Sequence, residues 1–329
     1  MQYQSPLWLP GGHLQTIWPA LHGRKALKGL HRYARERWHT ADQDFIDVDW
    51  LKAEGLGIDT KEGERPLLVL FHGLEGNSQS HYAMSFGAYA QGQVWDYAVP
   101  HFRGCSGELN WAPRAYHSGD YQEVDWILQK LRTMHRGPLY AVGVSLGGNA
   151  LLRWAEEAGE TANKTVASLC AVCSPIDLAA GGWALGRGIN RLIYTPMFLN
   201  TMKPKALQKL RQHPGLFDEK TLKAVRTIYD FDNVFTAPLH GFRNTDDYWE
   251  RASAKPRLHA IRVPTLLVHA RNDPFVPAWS LPVQQNVGSH VTLWQPLHGG
   301  HVGFASGYPP GHLRELPERV GQWMRELNS

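Results

Sequence analysis

Apolar residues come in short unbroken runs along this chain, with helical patterns between them. Residues 67–71, 97–101, 139–144, 166–174, 264–270 and 291–295 each form such a run. Runs of this length without alternation predict strands covered on both faces of a mainly parallel sheet. Residues 44–50 alternate more and predict an antiparallel strand leading into the sheet. Between the runs, Val124, Ile127, Leu128 and Leu131 follow helical spacing, with Asp120 and Glu123 resembling an N-terminal cap. Residues 146–158 predict another helix. Leu316, Val320, Trp323, Met324 and Leu327 give the last helix its apolar stripe. Strand and helix in alternation predict a doubly wound α/β domain.

One stretch breaks the rhythm. Residues 176–256 contain no convincing strand, only helical fragments such as Leu222, Val225, Ile228 and Tyr229, with Trp183, Phe198, Phe231, Phe235 and Phe242 among them. An insertion of this length predicts a lid over a site. The expected organisation is therefore a core of residues 1–175 and 257–329, with an N-terminal docking segment over 1–40, and a helical cap over 176–256. The cap and the N-terminal segment are both expected to line the site.

Composition narrows the function. With 43% apolar and 19% charged residues the chain is a globular sequence, and a net charge of +4 without a basic run gives little support to a nucleic-acid partner. Neither a signal-peptide core nor an 18-residue apolar stretch is present, so the expectation is a cytoplasmic chain without a stable membrane anchor. The three cysteines make no disulfide framework. Cys170 and Cys173 fall in a strand and are expected to be small buried hydrophobes, with Cys105 structural or merely exposed.

The chemistry concentrates after the strands. Gly143-Val-Ser145-Leu-Gly147 joins a strand to a helix. A serine on such a turn is lifted clear of the sheet edge, and the following amide lies at a helix N-terminus. A chance match to this spacing is expected about 0.1 times in a chain of this composition, and the strand–helix context strengthens it further. A serine hydroxyl needs a base to become a nucleophile. His301, in Leu297-His-Gly-Gly-His301 after the last apolar run, is the expected base, with His298 as its rival. Asp273, where Pro274 stops the strand before it, is the expected orienting acid, with Asp177 as its rival. The order Ser145, Asp273, His301 is the nucleophile–acid–base order of one hydrolase fold. The Leu146 amide and the Leu74 amide, in His72-Gly-Leu-Glu-Gly76, are the expected oxyanion donors. His72 is expected to shape this loop. The nucleotide-loop and zinc-protease patterns are absent, and His298 with His301 lacks a third local metal ligand. The chemistry requires no metal or organic cofactor.

Together these elements resemble the α/β-hydrolase superfamily. Pro6-Leu-Trp-Leu-Pro-Gly-Gly-His13-Leu-Gln-Thr16, His101-Phe-Arg-Gly-Cys-Ser-Gly107, Tyr116-His-Ser-Gly-Asp120 and Asp232-Asn-Val-Phe-Thr236 through Gly241-Phe242 and Tyr248 resemble its YheT-like esterase branch, over nearly the whole chain. The resemblance implies an α/β-hydrolase fold with the cap inserted between the sixth and seventh core strands. It also implies hydrolysis of small carboxylic esters with short or medium acyl chains. Eukaryotic relatives in that branch include membrane-anchored lipid hydrolases and alcohol acyltransferases. The sequence leaves open whether the acyl group passes to water or to an alcohol, or whether the fold serves as a silent binding protein. The oligomeric state is equally unreadable.

Overall fold

The computed structural model describes residues 3–27, 32–53 and 64–327. Eight strands form one sheet: β1 Ala34–His39, β2 Phe45–Leu51, β3 Leu67–Phe71, β4 Asp96–Pro100, β5 Leu139–Val144, β6 Ser168–Val172, β7 Thr265–Val268 and β8 Val291–Trp294. Their spatial order is β1-β2-β4-β3-β5-β6-β7-β8. The first two joins are antiparallel and the rest parallel. The longer helices are α1 Gly11–Trp18, α2 His81–Gly92, α3 Tyr121–Met134, α4 Leu146–Ala158, α5 Leu178–Leu185, α6 Gly188–Gln212, α7 Thr245–Ala252 and α8 Glu315–Glu326.

The unbroken apolar runs are explained by cover on both faces. Leu67, Val69 and Phe71 of β3 join Ala141 of β5 and Leu169 of β6 in a core with α3 and α4. Leu68 and Leu70, pointing the other way, join Val142, Cys170, α2 and α8. Strand residues alternate between faces, so every position of β3 must be apolar. Strand ends are trimmed relative to the apolar runs: β6 is shorter than 166–174, and β4 is shifted by one residue from 97–101.

Two expectations change here, and one strand appears that the sequence pattern did not predict. The strand β1 has the sequence Ala-Arg-Glu-Arg-Trp-His and four exposed residues at its start, so it offers no apolar run. It is held at the sheet edge by Arg35 and Arg37, which pair with Asp49 and Asp47 of β2 at 2.7 and 2.8 Å. The Asp120–Glu123 cap does not form. Asp120 makes no side-chain capping bond and pairs with Arg114, while Glu123 accepts from Arg103 Nε at 2.5 Å. The fragment from Leu222 to Tyr229 is two helical turns. Val225 ends the first, and the hydroxyl of Thr227 caps the second by accepting from the Asp230 amide.

Between β6 and β7 the chain is helical and carries no strand among the described residues, as expected for a cap. No helix among the described residues is long and apolar enough to cross a membrane. Within the expected segment 1–40, residues 1–2 and 28–31 lie outside the described residues.

Candidate active site

In an open parallel sheet, ligands bind outside the carboxyl ends of the strands. Ser145 follows β5, Asp273 follows β7, His301 follows β8, and Leu74 follows β3. Four distant parts of the sequence thus meet on one edge.

Ser145 sits at φ +52° and ψ −121°, a strained conformation for a residue with a side chain. Its amide donates to the Val172 carbonyl at 2.8 Å. The sharp turn requires Gly147, where a Cβ would stand 2.4 Å from the His72 carbonyl oxygen. Ser145 Oγ lies 3.0 Å from His301 Nε2. On the other side of the ring, His301 Nδ1 lies 2.8 Å from Asp273 Oδ2. With the Nδ1 proton donated to the carboxylate, Nε2 is left as the acceptor for the serine hydroxyl. Asp273 Oδ1 accepts from the amides of Phe275 and Val276 at 2.7 and 3.2 Å, so its oxygens are all engaged. Phe275 packs against the imidazole with ring centroids 4.3 Å apart and planes tilted by 40°.

The rivals stand elsewhere. His298 is exposed on its loop, its Nδ1 3.4 Å from Asn272 Nδ2. Asp177 caps α5 by accepting from the Ala180 amide at 3.1 Å.

The half-buried Leu146 begins α4, and Leu74 follows a loop whose shape is fixed by polar bonds. His72 is fully buried. Its Nδ1–H donates to the Gly73 carbonyl at 2.8 Å, and its Nε2 accepts from the Phe102 amide at 3.0 Å. Burial, helped by the neighbouring His101, pushes the His72 pKa down to about 3, so the ring stays neutral in this role. The Gly73 amide donates to Tyr82 Oη at 2.9 Å. Glu75, at φ +57°, gives its amide to Tyr116 Oη at 2.9 Å and its carboxylate to Lys205 Nζ of α6, also at 2.9 Å. Among the described residues, neither the Leu74 nor the Leu146 amide donates to a backbone carbonyl.

Sequence reasoning missed what holds the His301 loop. Gln15 Oε1, on α1, accepts from the Gly299 amide at 2.8 Å and from Asn272 Nδ2 at 2.9 Å, while Gln15 Nε2 donates to the Leu9 carbonyl at 2.8 Å. Asn272 Oδ1 in turn accepts from the Gly300 amide at 3.0 Å. The His301 amide donates to Thr16 Oγ1 at 2.8 Å, and that hydroxyl donates to the Gly12 carbonyl at 2.7 Å. Gly12 lets α1 come this close: a Cβ there would stand 1.9 Å from the Asn272 carbonyl oxygen. Cys173, expected to be a plain buried hydrophobe, touches the same loop from beneath. Its sulfur accepts from the Val302 amide at 3.4 Å and donates to the Gly300 carbonyl at 3.7 Å. The sequence signal was the dense Gly-Gly-His-Leu-Gln-Thr cluster, whose partners lie far along the chain.

Cys173, Asp273 and His301 place ligand atoms within 4.8 Å of one another. They do not form a free metal-binding set. Asp273 and His301 are engaged with each other, and burial raises the Cys173 thiol well above its usual pKa. Cys105 is buried too, its pKa pushed up to about 12 by burial, with Lys205 Nζ 3.8 Å away.

A cavity of about 150 Å³ opens above Ser145. Leu178, Phe198, Met202, Ile228, Phe231 and Phe235 give it apolar walls, and Leu74, Leu146 and His301 face it from the sheet edge. Of the aromatics in residues 176–256 picked out from the sequence, Trp183 and Phe242 are outside it. Trp183 is 45% exposed, and Phe242 packs on His117 and Tyr248. Among the described residues, none of the N-terminal segment lines it, against expectation, because α1 sits behind the His301 loop. Part of its lining is polar. Burial raises Asp232 to about 6, where it accepts from Thr236 Oγ1 at 2.7 Å and Trp249 Nε1 at 2.9 Å, and burial lowers His117 to about 4.

The profile of the α/β-hydrolase fold matches residues 66–308. YheT of Escherichia coli, whose name places it among the esterases, is 36% identical over 315 residues, spanning 95% of this chain and 89% of that one. The chain belongs to the α/β-hydrolase family. Within it the match to YheT places the chain in the YheT-like branch. Mouse phospholipase ABHD3 is 29% identical, over 90% of this chain and 72% of its own length. Among solved structures, the Pyrococcus furiosus esterase Pf2001 superposes with a TM-score of 0.55 at 16% identity, over 92% of this chain and 94% of that one. At that identity the likeness is one of fold.

Proposed function

We propose that this α/β-hydrolase is a serine carboxylesterase acting on small esters of short or medium acyl chain, through an acyl-enzyme. The observation that carries the reading is the single imidazole of His301 within hydrogen-bond reach of both the Ser145 hydroxyl and the buried Asp273 carboxylate. Ser145 Oγ attacks the acyl carbon as its proton passes to His301 Nε2. Asp273 holds the ring's tautomer and stabilises the imidazolium. The Leu74 and Leu146 amides receive the developing oxyanion, each contributing about 2.7–4 kcal/mol to the transition state. His301 then returns the proton to the leaving alcohol. Water, deprotonated by the same imidazole, cleaves the acyl-enzyme and restores Ser145.

Residues 176–256 serve in this reading as the cap over the acyl site. The cavity, about 150 Å³ with apolar walls, supports a modest acyl chain, since a void of about that volume accepts a benzene-sized guest. The names of the relatives, an esterase and a phospholipase, both describe cleavage of esters.

The test is hydrolysis of p-nitrophenyl esters from acetate to palmitate by wild type and Ser145→Ala. Wild type should favour the shorter half of the series. Ser145→Ala should lower kcat by roughly 10⁴–10⁶. Wild-type rates at background across the series, or full activity in the variant, would overturn the assignment.

A further inference from the structure

The outer side of α6 carries an anomaly. Ile189, Leu192, Ile193, Pro196 and Met197 fall at i, i+3, i+4, i+7 and i+8, the spacing of a helix face built to be covered. All five are exposed, Leu192 by 77%. The opposite side of the same helix is already in use: Phe198 and Met202 line the cavity, and Tyr194 packs on Phe275 at 4.6 Å between ring centroids. The apolar stripe is therefore a second face of α6, unneeded for the fold. A row of large apolar residues on a soluble surface marks an interaction site.

Charge identifies the occupant. Residues 178–217 contain six Lys or Arg and no Asp or Glu. Arg187 and Arg191 are exposed beside the stripe. Two copies of this chain meeting here would bring those arginines against each other, which disfavours self-association. A helix with an apolar face bordered by cations is suited instead to lie in the plane of an anionic lipid surface. No helix among the described residues is apolar enough to span a membrane, so the contact is peripheral.

We propose that the outer face of α6 docks the protein on anionic bilayers, with the Ile189–Met197 stripe in the acyl boundary and Arg187 and Arg191 at the headgroups. Because the inner face of α6 roofs the cavity, docking would hold the roof of the site against the membrane.

The test uses the full chain and sedimentation with vesicles of equimolar phosphatidylglycerol and phosphatidylcholine, or of phosphatidylcholine alone. Wild type should bind the anionic vesicles and lose them at high salt. Leu192→Glu with Ile193→Glu, and separately Arg187→Gln with Arg191→Gln, should each weaken binding by about tenfold or more. Both variants should hydrolyse a short soluble ester within about twofold of wild type, without vesicles. That arm separates the two readings: vesicle binding stands or falls whether or not the protein is an esterase. Failure of wild type to bind anionic vesicles overturns the proposal. So does equal binding to neutral vesicles, or equal binding by the glutamate variant. A wild-type dimer that Leu192→Glu dissolves would assign the stripe to a second copy and overturn it as well.

Discussion

Below the cavity, at the sheet edge, each group around the base has a stated partner. Asp273 is fixed by two amides and an imidazole, the imidazole by a carboxylate and a hydroxyl, and the backbone of residues 299–301 by Gln15, Thr16 and Asn272. Above the cavity, the roof meets the site through apolar side chains in contact, while hydrogen bonds such as Asn190 Nδ2 to the Pro274 carbonyl, Lys205 to Glu75 and Lys209 Nζ to the carbonyls of Asn110 and Ala112, at 2.5 and 2.9 Å, tie its rim to the floor. Hydrogen bonds fix angles, whereas apolar contact fixes only volume. Floor and roof should therefore fail differently. Damage to the floor should strike the rate of chemistry, and damage to the roof should strike the choice of substrate.

The sharpest way to break this contrast is at Thr16, which touches neither the cavity nor the serine. Thr16→Val removes the acceptor for the His301 amide at nearly constant shape and leaves that amide unsatisfied. A small displacement of a catalytic group costs up to about 10²-fold, so kcat should fall by about 10–10² with KM nearly unchanged. Thr16→Ser should restore most of the rate. A rise in KM with kcat intact, or no rescue by serine, would remove Thr16 from the positioning of the base. A smaller effect is expected in the roof. Phe198→Ala should move the preferred ester toward longer chains, changing the ratio of kcat/KM between neighbouring esters by about tenfold, the lower end of what one methylene is worth in an apolar pocket. An equal loss across the whole ester series would mean that the roof shapes the chemistry too.

The smallest effect concerns the sheet's antiparallel edge, where ion pairs replace apolar cover. Burial alone would raise the pKa of Asp49, but bonds from Arg35, His101 and Ser78 hold it well below the usual carboxylate range. A carboxylate depressed in the folded state stabilises the fold above its unfolded pKa near 3.9, and that stabilisation is lost as pH falls through and below it. Asp49→Asn should therefore lower Tm at pH 7 by about 5 °C and flatten the decline of Tm below pH 5. A parallel decline in variant and wild type would take Asp49 out of the acid response.

What the sequence disclosed follows the same division. Strands β3 to β7 were readable because both faces are buried, which writes a continuous apolar run, and the edge strand β8 was readable from its short run although Thr292 is exposed. The strand β1 was hidden because its charges pair across to β2 and leave no hydrophobic signature. Ser145 was readable from a local turn with strict steric demands. Asp273 and His301 were readable as polar residues just past strand ends. The Gln15–Thr16 clamp was not, because a hydrogen bond between residues 284 apart imposes no periodicity on either segment. The exposed face of α6 was missed for the opposite reason: its helical apolar spacing looks the same whether a core or something outside the molecule covers it.

The same clamp bears on how the protein comes into being. On the ribosome, at roughly 5–20 residues per second, α1 emerges some tens of seconds before the loop of His301 that it must grip. The turns of Leu74 and Ser145 draw on partners no later than Val172 and Lys205, all made well before the His301 loop. His301 cannot be set until the last strand has joined the sheet and found a helix made near the beginning. A partly synthesised or partly refolded molecule thus carries Ser145 without the imidazole beside it, and the proposed chemistry arrives only with the completed fold.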